Sequence, residues 1–231
     1  MPVDKLGMQE NEALESGMLS KAVENAQKKV EGRNYGIRRY VLQYDDVMNR
    51  QRTVIYDERK RVLLGEDLQD HVLSMMKDQA DDLAEAVSAA SQYPEEWDLQ
   101  DLNKKIKAVN GNLADLNYQG DALTSLTKEK LAEDILGVFT DAYRAKEAQV
   151  GSEHMRALER MILLWVVDMK WMDHIDAMDQ LKTGIGLRSL GQQNPAQAYA
   201  NEGADMFDMM IKNICEDMIK NILNITIETR A

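Results

Sequence analysis

The sequence predicts an all-α protein, and three observations lead to that fold class. Only 3 Pro and 13 Gly are spread over 231 residues, so long stretches contain no helix breaker. Apolar residues recur at gaps of three and four, which is the period of a helix that buries one face. Apolar residues make up 44% and charged residues 29% of the chain, the balance of a globular protein that can bury a core. We expect one very long helix, an acidic helical lobe and an antiparallel two-helix hairpin, in that order.

The very long helix is predicted over residues 18–65, after a lead-in of residues 1–17. Its apolar positions form one stripe: Leu19, Val23, Ala26, Val30, Ile37, Val41, Tyr44, Met48, Ile55 and Val62. At a rise of about 1.5 Å per residue, a continuous helix here is on the order of 70 Å long. Because that length exceeds the diameter of a small domain, its neighbours in the chain cannot cover all of it. Gly32 and Gly36 lie near its middle, where they would bend the helix or admit a close neighbour.

The acidic lobe is predicted over residues 66–150. This segment carries 8 basic and 18 acidic side chains, whereas residues 1–65 carry 12 and 10, and residues 151–231 carry 8 and 12. Helical patterns within the lobe cover residues 66–92, 99–109 and 127–147. The formal charge of the whole chain is −12, which disfavours nucleic-acid binding because phosphate contact needs a basic surface.

Residues 151–231 are predicted to form the two-helix hairpin. Ser152 is suited to cap the first helix. A polar bend that contains glycine follows at residues 183–194, and Asn194-Pro195 starts the returning helix, with Asn as the cap and Pro at the first helical position. That helix ends near Asn224. The exposed tip of the bend comprises Leu187, Arg188, Ser189, Leu190, Gly191 and Gln192.

No set of residues assembles a recognisable catalytic, nucleotide or metal site. Gly184-Ile185-Gly186 lacks the lysine and the spacing of a phosphate-binding loop, so we interpret it as a hinge. His174 lies among aspartates without a second cluster to complete a metal site, and we expect an ordinary, partly exposed histidine. Cys215, the single cysteine, is on the apolar stripe of the last helix and is expected in the core. We therefore expect no cofactor, metal or catalytic residue in this chain.

The chain also lacks a membrane-spanning pattern. Its longest uninterrupted apolar run, Met161 to Val167, is far shorter than the about 20 residues that cross a bilayer as a helix. We expect a soluble chain whose contact with membranes is peripheral.

Methionine is frequent, at 15 residues. Those in the hairpin segment are Met155, Met161, Met169, Met172, Met178, Met206, Met209, Met210 and Met218. Two interpretations stay open: these side chains fill the core, or they form an adaptable surface that contacts varied apolar segments.

Several stretches of the sequence resemble one protein family. Lys21–Asn34 and Tyr44–Arg52 look like the start of the long scaffold helix of the SecA family, the bacterial motors that drive preproteins through the SecYEG channel. Leu181–Arg188 and Gln192–Pro195 look like that family's two-helix finger. Met1–Met8 look like the end of its second nucleotide-binding domain. The acidic lobe matches by position and character, as the helical wing domain.

The resemblance implies a non-catalytic part of a protein-translocating ATPase, with ATP and Mg²⁺ bound by nucleotide-binding domains outside these residues. The implied partners are the SecYEG channel, an unfolded preprotein and the motor's own nucleotide-binding domains, with a homodimer as one further option. The implied location is cytoplasmic, peripheral at the cytoplasmic face of the bacterial inner membrane. The tip would contact the preprotein, and many family members carry an aromatic residue where this chain has Leu190.

On the polar face of the long helix, the residues expected to contact the motor domains are Arg33, Asn34, Arg38, Asp45, Asp46, Arg50 and Arg52. The alternative for these side chains is a plain solvated face. A second functional hypothesis is a free-standing helical scaffold or adaptor that binds partner helices along the stripe from Leu19 to Val62.

Overall fold

A computed structural model describes residues 17–64, 68–188 and 194–226. The chain divides into two units, Met1–Met48 and Asn49–Ala231. The described residues form helices and contain no strand, so the predicted all-α class is confirmed. In chain order the helices are α1 (Gly17–Leu64), α2 (Leu68–Ser88), a 3-10 turn (Pro94–Glu96), α3 (Leu99–Val109), α4 (Asp121–Thr124), α5 (Lys128–Val150), α6 (Ser152–Arg188) and α7 (Pro195–Asn224).

The predicted very long helix is confirmed as α1, a single helix of 48 residues. In the first unit most of its apolar stripe is exposed, including Val23, Val30 and Ile37. In the second unit the stripe is buried, since Ile55 and Val62 are each only 2% exposed. One helix therefore has a buried apolar face near its C-terminal end and a bare apolar face near its N-terminal end.

The core of the second unit is built from α2, α5, α6 and α7. Helix α2 packs mainly on α5 and also contacts α6 and α7. It buries apolar residues at gaps of three and four along its whole length: Leu68, Val72, Met75, Met76, Ala80, Ala84 and Val87. On α5, Ile135 and Phe139 are fully buried. The predicted lobe and hairpin segments are thus in extensive contact, while their boundaries at residues 66–150 and 151–231 stay a prediction.

Helix ends in the second unit follow local chemistry. The Asp98 side chain accepts a hydrogen bond from the Asp101 backbone N–H at 2.9 Å and caps α3. As predicted, Asn194 caps α7, accepting from the Ala196 N–H at 3.1 Å, and Pro195 takes the first helical position. Gly151 separates α5 from α6 at φ 83°, a conformation that glycine adopts without steric cost.

The hairpin of α6 and α7 has the most extensive helix–helix contact in the described chain. The sequence predicted that the bend begins at residue 183, but α6 continues to Arg188. The predicted start of the bend is therefore wrong. Ile185 is only 2% exposed, so packing outweighs the modest helix penalty of the neighbouring Gly184. The interpretation of Gly184–Gly186 as a hinge is therefore wrong: these residues are helical.

Candidate functional site

The middle of the hairpin is joined to α1 by a buried side chain, Gln51, which is 7% exposed. Its amide nitrogen donates a hydrogen bond of 2.8 Å to the backbone carbonyl of Gly203 on α7. Its amide oxygen lies 3.0 Å from Nε2 of His174 on α6. A single glutamine thus connects three helices at one buried point.

The hydrogen-bond partners of Gln51 show which nitrogen of His174 carries a proton. A backbone carbonyl can only accept, so the Gln51 amide nitrogen must face Gly203 and its oxygen must face the histidine. His174 must then carry a proton on Nε2 in order to donate. Burial lowers the pKa of His174 from its ordinary value of 6.5, which favours the neutral ring with its proton on that nitrogen.

Aromatic packing holds the His174 ring in place. Its centroid lies 5.7 Å from that of Trp171 on the same helix and 5.7 Å from that of Phe207 on α7, which meets it edge-on. The histidine is 5% exposed, so the expectation of a partly exposed residue is wrong. His174 is a structural contact in the middle of the hairpin rather than a solvated side chain.

Two ion pairs also connect these helices near Gln51. Arg59 Nε on α1 lies 3.1 Å from Asp168 Oδ1 on α6, and Lys170 Nζ on α6 lies 2.6 Å from Asp217 Oδ2 on α7. Each pair is partly exposed, so its contribution to stability is modest, at roughly 1 kcal/mol or less. Their main effect is to fix the relative register of the helices.

A second polar cluster lies near the N-terminal end of α6. Glu159 is fully buried and accepts hydrogen bonds from the Tyr143 hydroxyl at 2.5 Å and from Arg156 Nη2 at 2.8 Å. Arg156 also bonds Glu147 Oε1 at 3.0 Å, so the cluster spans the turn between α5 and α6. Burial and the adjacent Glu159 carboxylate raise the pKa of Tyr143, which keeps its hydroxyl protonated as a donor. Helix α6 is thereby held by specific polar contacts at two points, near its N-terminal end and near its middle.

These contacts bind and orient helices, and they hold no reacting group. Among the described residues, no group of three or more His, Cys, Asp or Glu side chains is arranged to hold a metal ion. No described helix combines the length and the apolar character that crossing a bilayer requires. Burial and the carboxylates of Asp78, Asp82 and Glu58 raise the pKa of the Cys215 thiol to about 11, so it is a poor nucleophile.

The model of the SecA wing and scaffold domain family matches residues 13–226 of the chain. The chain belongs to this family. It is 52% identical over 223 residues to protein translocase subunit SecA 1 of Alkaliphilus metalliredigens, which covers 96% of this chain and 25% of the relative. It is 48% identical over 227 residues to protein translocase subunit SecA 1 of Clostridioides difficile, covering 98% of this chain and 25% of that protein. The SecA subunit of Caldicellulosiruptor saccharolyticus is 43% identical over 228 residues, and the match covers 98% of this chain and 26% of that protein.

The family places these residues in the wing and scaffold region of SecA rather than in a nucleotide-binding domain. The chain spans about a quarter of the length of the curated relatives that it matches. The resemblance to SecA on the residues of α1 and the hairpin is therefore confirmed.

The predicted tip of the SecA finger lies mostly outside the described residues. Leu187 and Arg188 are the last residues of α6, and nothing is described of their side chains. Ser189, Leu190, Gly191 and Gln192 fall outside the described ranges. Their contact with a preprotein stays a prediction.

The predicted scaffold contacts all lie on α1. Each of these side chains is exposed, and their role stays a prediction: Arg33, Asn34, Arg38, Asp45, Asp46, Arg50 and Arg52.

Sequence reasoning missed the Gln51 contact, although a signal for it exists. Gln51 lies three residues after Met48 and four before Ile55, so helical spacing places it on the buried face. A glutamine on such a face has to be hydrogen-bonded, which predicts a polar partner across the helix interface. The same helical spacing places His174 between the buried residues Trp171 and Met178. It therefore predicts that His174 is also buried and hydrogen-bonded.

Cys215 and the methionines refine the remaining predictions. Cys215 is half-buried rather than fully in the core. The methionines divide between the two interpretations: Met155, Met178, Met210 and Met218 are buried, whereas Met161, Met172 and Met209 are exposed.

Proposed function

We propose that this part of SecA conveys the ATP-driven motion of the nucleotide-binding domains to the two-helix finger, which contacts the preprotein at the SecYEG channel. On this proposal the chain hydrolyses no ATP itself. It passes motion from α1 to the hairpin of α6 and α7, and it works peripherally at the cytoplasmic face of the membrane.

The stiffness of the helices supports the proposal. An α-helix of 48 residues is on the order of 70 Å long, and backbone hydrogen bonds run along its whole axis. A displacement applied to one part of such a helix is carried along it, because packed helices move as rigid elements. The bare apolar face in the first unit gives further protein domains a surface on which to act.

The observation that carries the proposal is the buried contact of Gln51 with His174 and Gly203. A rod moves a hairpin only if the two are firmly joined, and this contact attaches α1 to both α6 and α7. An amide bonded at both ends tolerates little sliding, because a shift of one residue would leave buried polar groups unpaired.

The test is a substitution at the tip in the complete translocase subunit. We expect Leu190→Gly to lower preprotein transport while basal ATP hydrolysis is largely kept, because the tip loses its apolar contact without any change at the ATP site. Leu190→Phe is the matched control, since it keeps an apolar tip and supplies an aromatic ring, and it should retain transport. Equal loss of transport and basal hydrolysis in Leu190→Gly would argue against a role specific to the tip.

The alternative is an adaptor that binds partner helices along the exposed stripe of α1, which the exposure of Val23, Val30 and Ile37 favours. The two functions differ in what the tip does. An adaptor predicts that Leu190→Gly leaves partner binding and transport unchanged, whereas Val30→Asp with Ile37→Asp abolishes partner binding.

A further inference from the structure

A groove with an acidic rim runs between α2 and α7. Its volume is about 670 Å³, and Leu83, Ile211 and Cys215 contribute apolar walls. A second groove of about 410 Å³ lies between α6 and α7. The two grooves share Met209 and Asn213, so they form one continuous surface on both sides of α7, called here the α7 surface.

The α7 surface carries a strongly negative charge. Its lysines are already paired: Lys212 Nζ lies 2.8 Å from Asp82 Oδ2, and Lys170 is bonded to Asp217. The remaining carboxylates are exposed and have no ion pair within the described residues: Asp78, Asp81, Asp173, Asp205, Asp208 and Glu216. Asp208 also interacts with Lys212, and Asp81 with Lys128, but carboxylates still outnumber lysines on this surface. Such an excess of negative charge attracts a cationic partner.

Between these carboxylates the α7 surface is apolar and adaptable. Met209 is 58% exposed and forms the ridge between the two grooves, with Met206 and Met210 beside it in the second groove. Unbranched thioether side chains adjust to partners of different shape, which suits them to surfaces that contact apolar side chains.

We propose that the α7 surface is a docking site for a basic amphipathic helix of a partner polypeptide. The partner's apolar side chains would pack on the methionines, and its Lys or Arg side chains would pair with the exposed carboxylates. Charge complementarity selects this occupant, because anionic lipids and nucleic acids are repelled by the same carboxylates. The inference goes beyond the proposed function, since it requires neither ATP-driven motion nor the finger tip.

The experiment is a binding titration of the full 231-residue chain with a fluorescent peptide of about 18 residues, five helical turns of Leu and Lys arranged as an amphipathic helix. We expect saturable binding that weakens as NaCl is raised, because exposed charges are screened. Asp81→Asn with Asp208→Asn should weaken binding by about fivefold. Met209→Ser should also weaken it, without changing the salt dependence.

The matched control is Glu95→Gln with Glu96→Gln, which removes the same charge from exposed positions on the 3-10 turn outside the α7 surface. Circular dichroism checks that every variant keeps its helical content. Equal weakening by the control pair would overturn the proposal in favour of unspecific charge attraction. Equal binding of a Leu/Glu peptide, or of vesicles with anionic headgroups, would overturn it as well.

Discussion

At the scale of single residues, the middle of the hairpin is joined to α1 by polar side chains that are buried and bonded to each other. Gln51 uses both ends of its amide, and His174 uses the nitrogen that faces it. Replacing Gln51 with an apolar side chain of similar size would leave the buried His174 donor unpaired, at a cost of about 1–3 kcal/mol. The contact is therefore specific for an amide at this position.

The lowered pKa of His174 makes the stability of the second unit depend on pH. Because the folded-state pKa lies below the ordinary 6.5, the unfolded chain takes up this proton first as the pH falls. Stability is complete above 6.5 and falls as the pH drops through 6.5 toward the folded-state pKa. We expect the free energy of unfolding, measured with urea, to fall between pH 7.5 and pH 5 by about 1.4 kcal/mol for each pH unit by which the folded pKa is lowered.

The matched variants for this prediction are His174→Asn and His154→Gln. His174→Asn removes the titrating ring while keeping an N–H donor, so it should lose less stability over the same pH range than the unsubstituted chain. His154 is exposed and lies outside the buried contact, so His154→Gln is the control for removing a histidine elsewhere on α6. An identical pH dependence in His174→Asn and the unsubstituted chain would contradict the assignment.

At the scale of elements, α1 runs through Gly32 and Gly36 without a break. A Cβ atom built at either position meets no atom within 4 Å, so neither glycine admits a close neighbour within the described residues. Each glycine therefore weakens the helix through its backbone entropy with no packing in return.

Replacing these glycines with alanine should stabilise α1. We expect Gly32→Ala and Gly36→Ala to slow amide hydrogen exchange in residues 25–45, each adding about 0.5–1 kcal/mol to local stability. Gly151→Ala is the matched control, for which we expect a loss of stability instead of a gain. The φ of Gly151 is 83°, which is strained for alanine, so the substitution should destabilise the turn between α5 and α6. Faster exchange around Gly32 or Gly36 in the alanine variants would show that the chain bends there.

The helix bounds show how far sequence reasoning reaches. The ends of α1, α3 and α7 were predictable because glycine, proline and capping residues mark them locally. The end of α6 was not, because the burial of Ile185 is a tertiary effect that overrides two nearby glycines. Likewise, spacing places Gln51 on a buried face, but its partners Gly203 and His174 lie more than 100 residues away along the chain.

At the scale of the whole molecule, we propose that this region of SecA transmits motion and leaves ATP hydrolysis to the nucleotide-binding domains. We expect no saturable binding of Mg-ATP to the isolated chain at micromolar concentrations, because no residues in it form a phosphate-binding loop. Isothermal calorimetry measures this directly, with the complete translocase subunit as the positive control. Saturable heat of Mg-ATP binding to the isolated chain, with a micromolar dissociation constant, would contradict the proposal that ATP is bound by other domains.

The most direct measurement of the central claim is the amount of preprotein transported per ATP hydrolysed by a complete translocase subunit that carries Gln51→Met. This substitution keeps the side-chain volume while removing both hydrogen bonds between α1 and the hairpin. Thr53→Ala, at a neighbouring exposed position on α1, is the control. If α1 conveys motion to the finger through this contact, transport per ATP falls in Gln51→Met while ATP hydrolysis continues, and Thr53→Ala behaves as the unsubstituted protein. An unchanged ratio in a stably folded Gln51→Met protein would contradict the account.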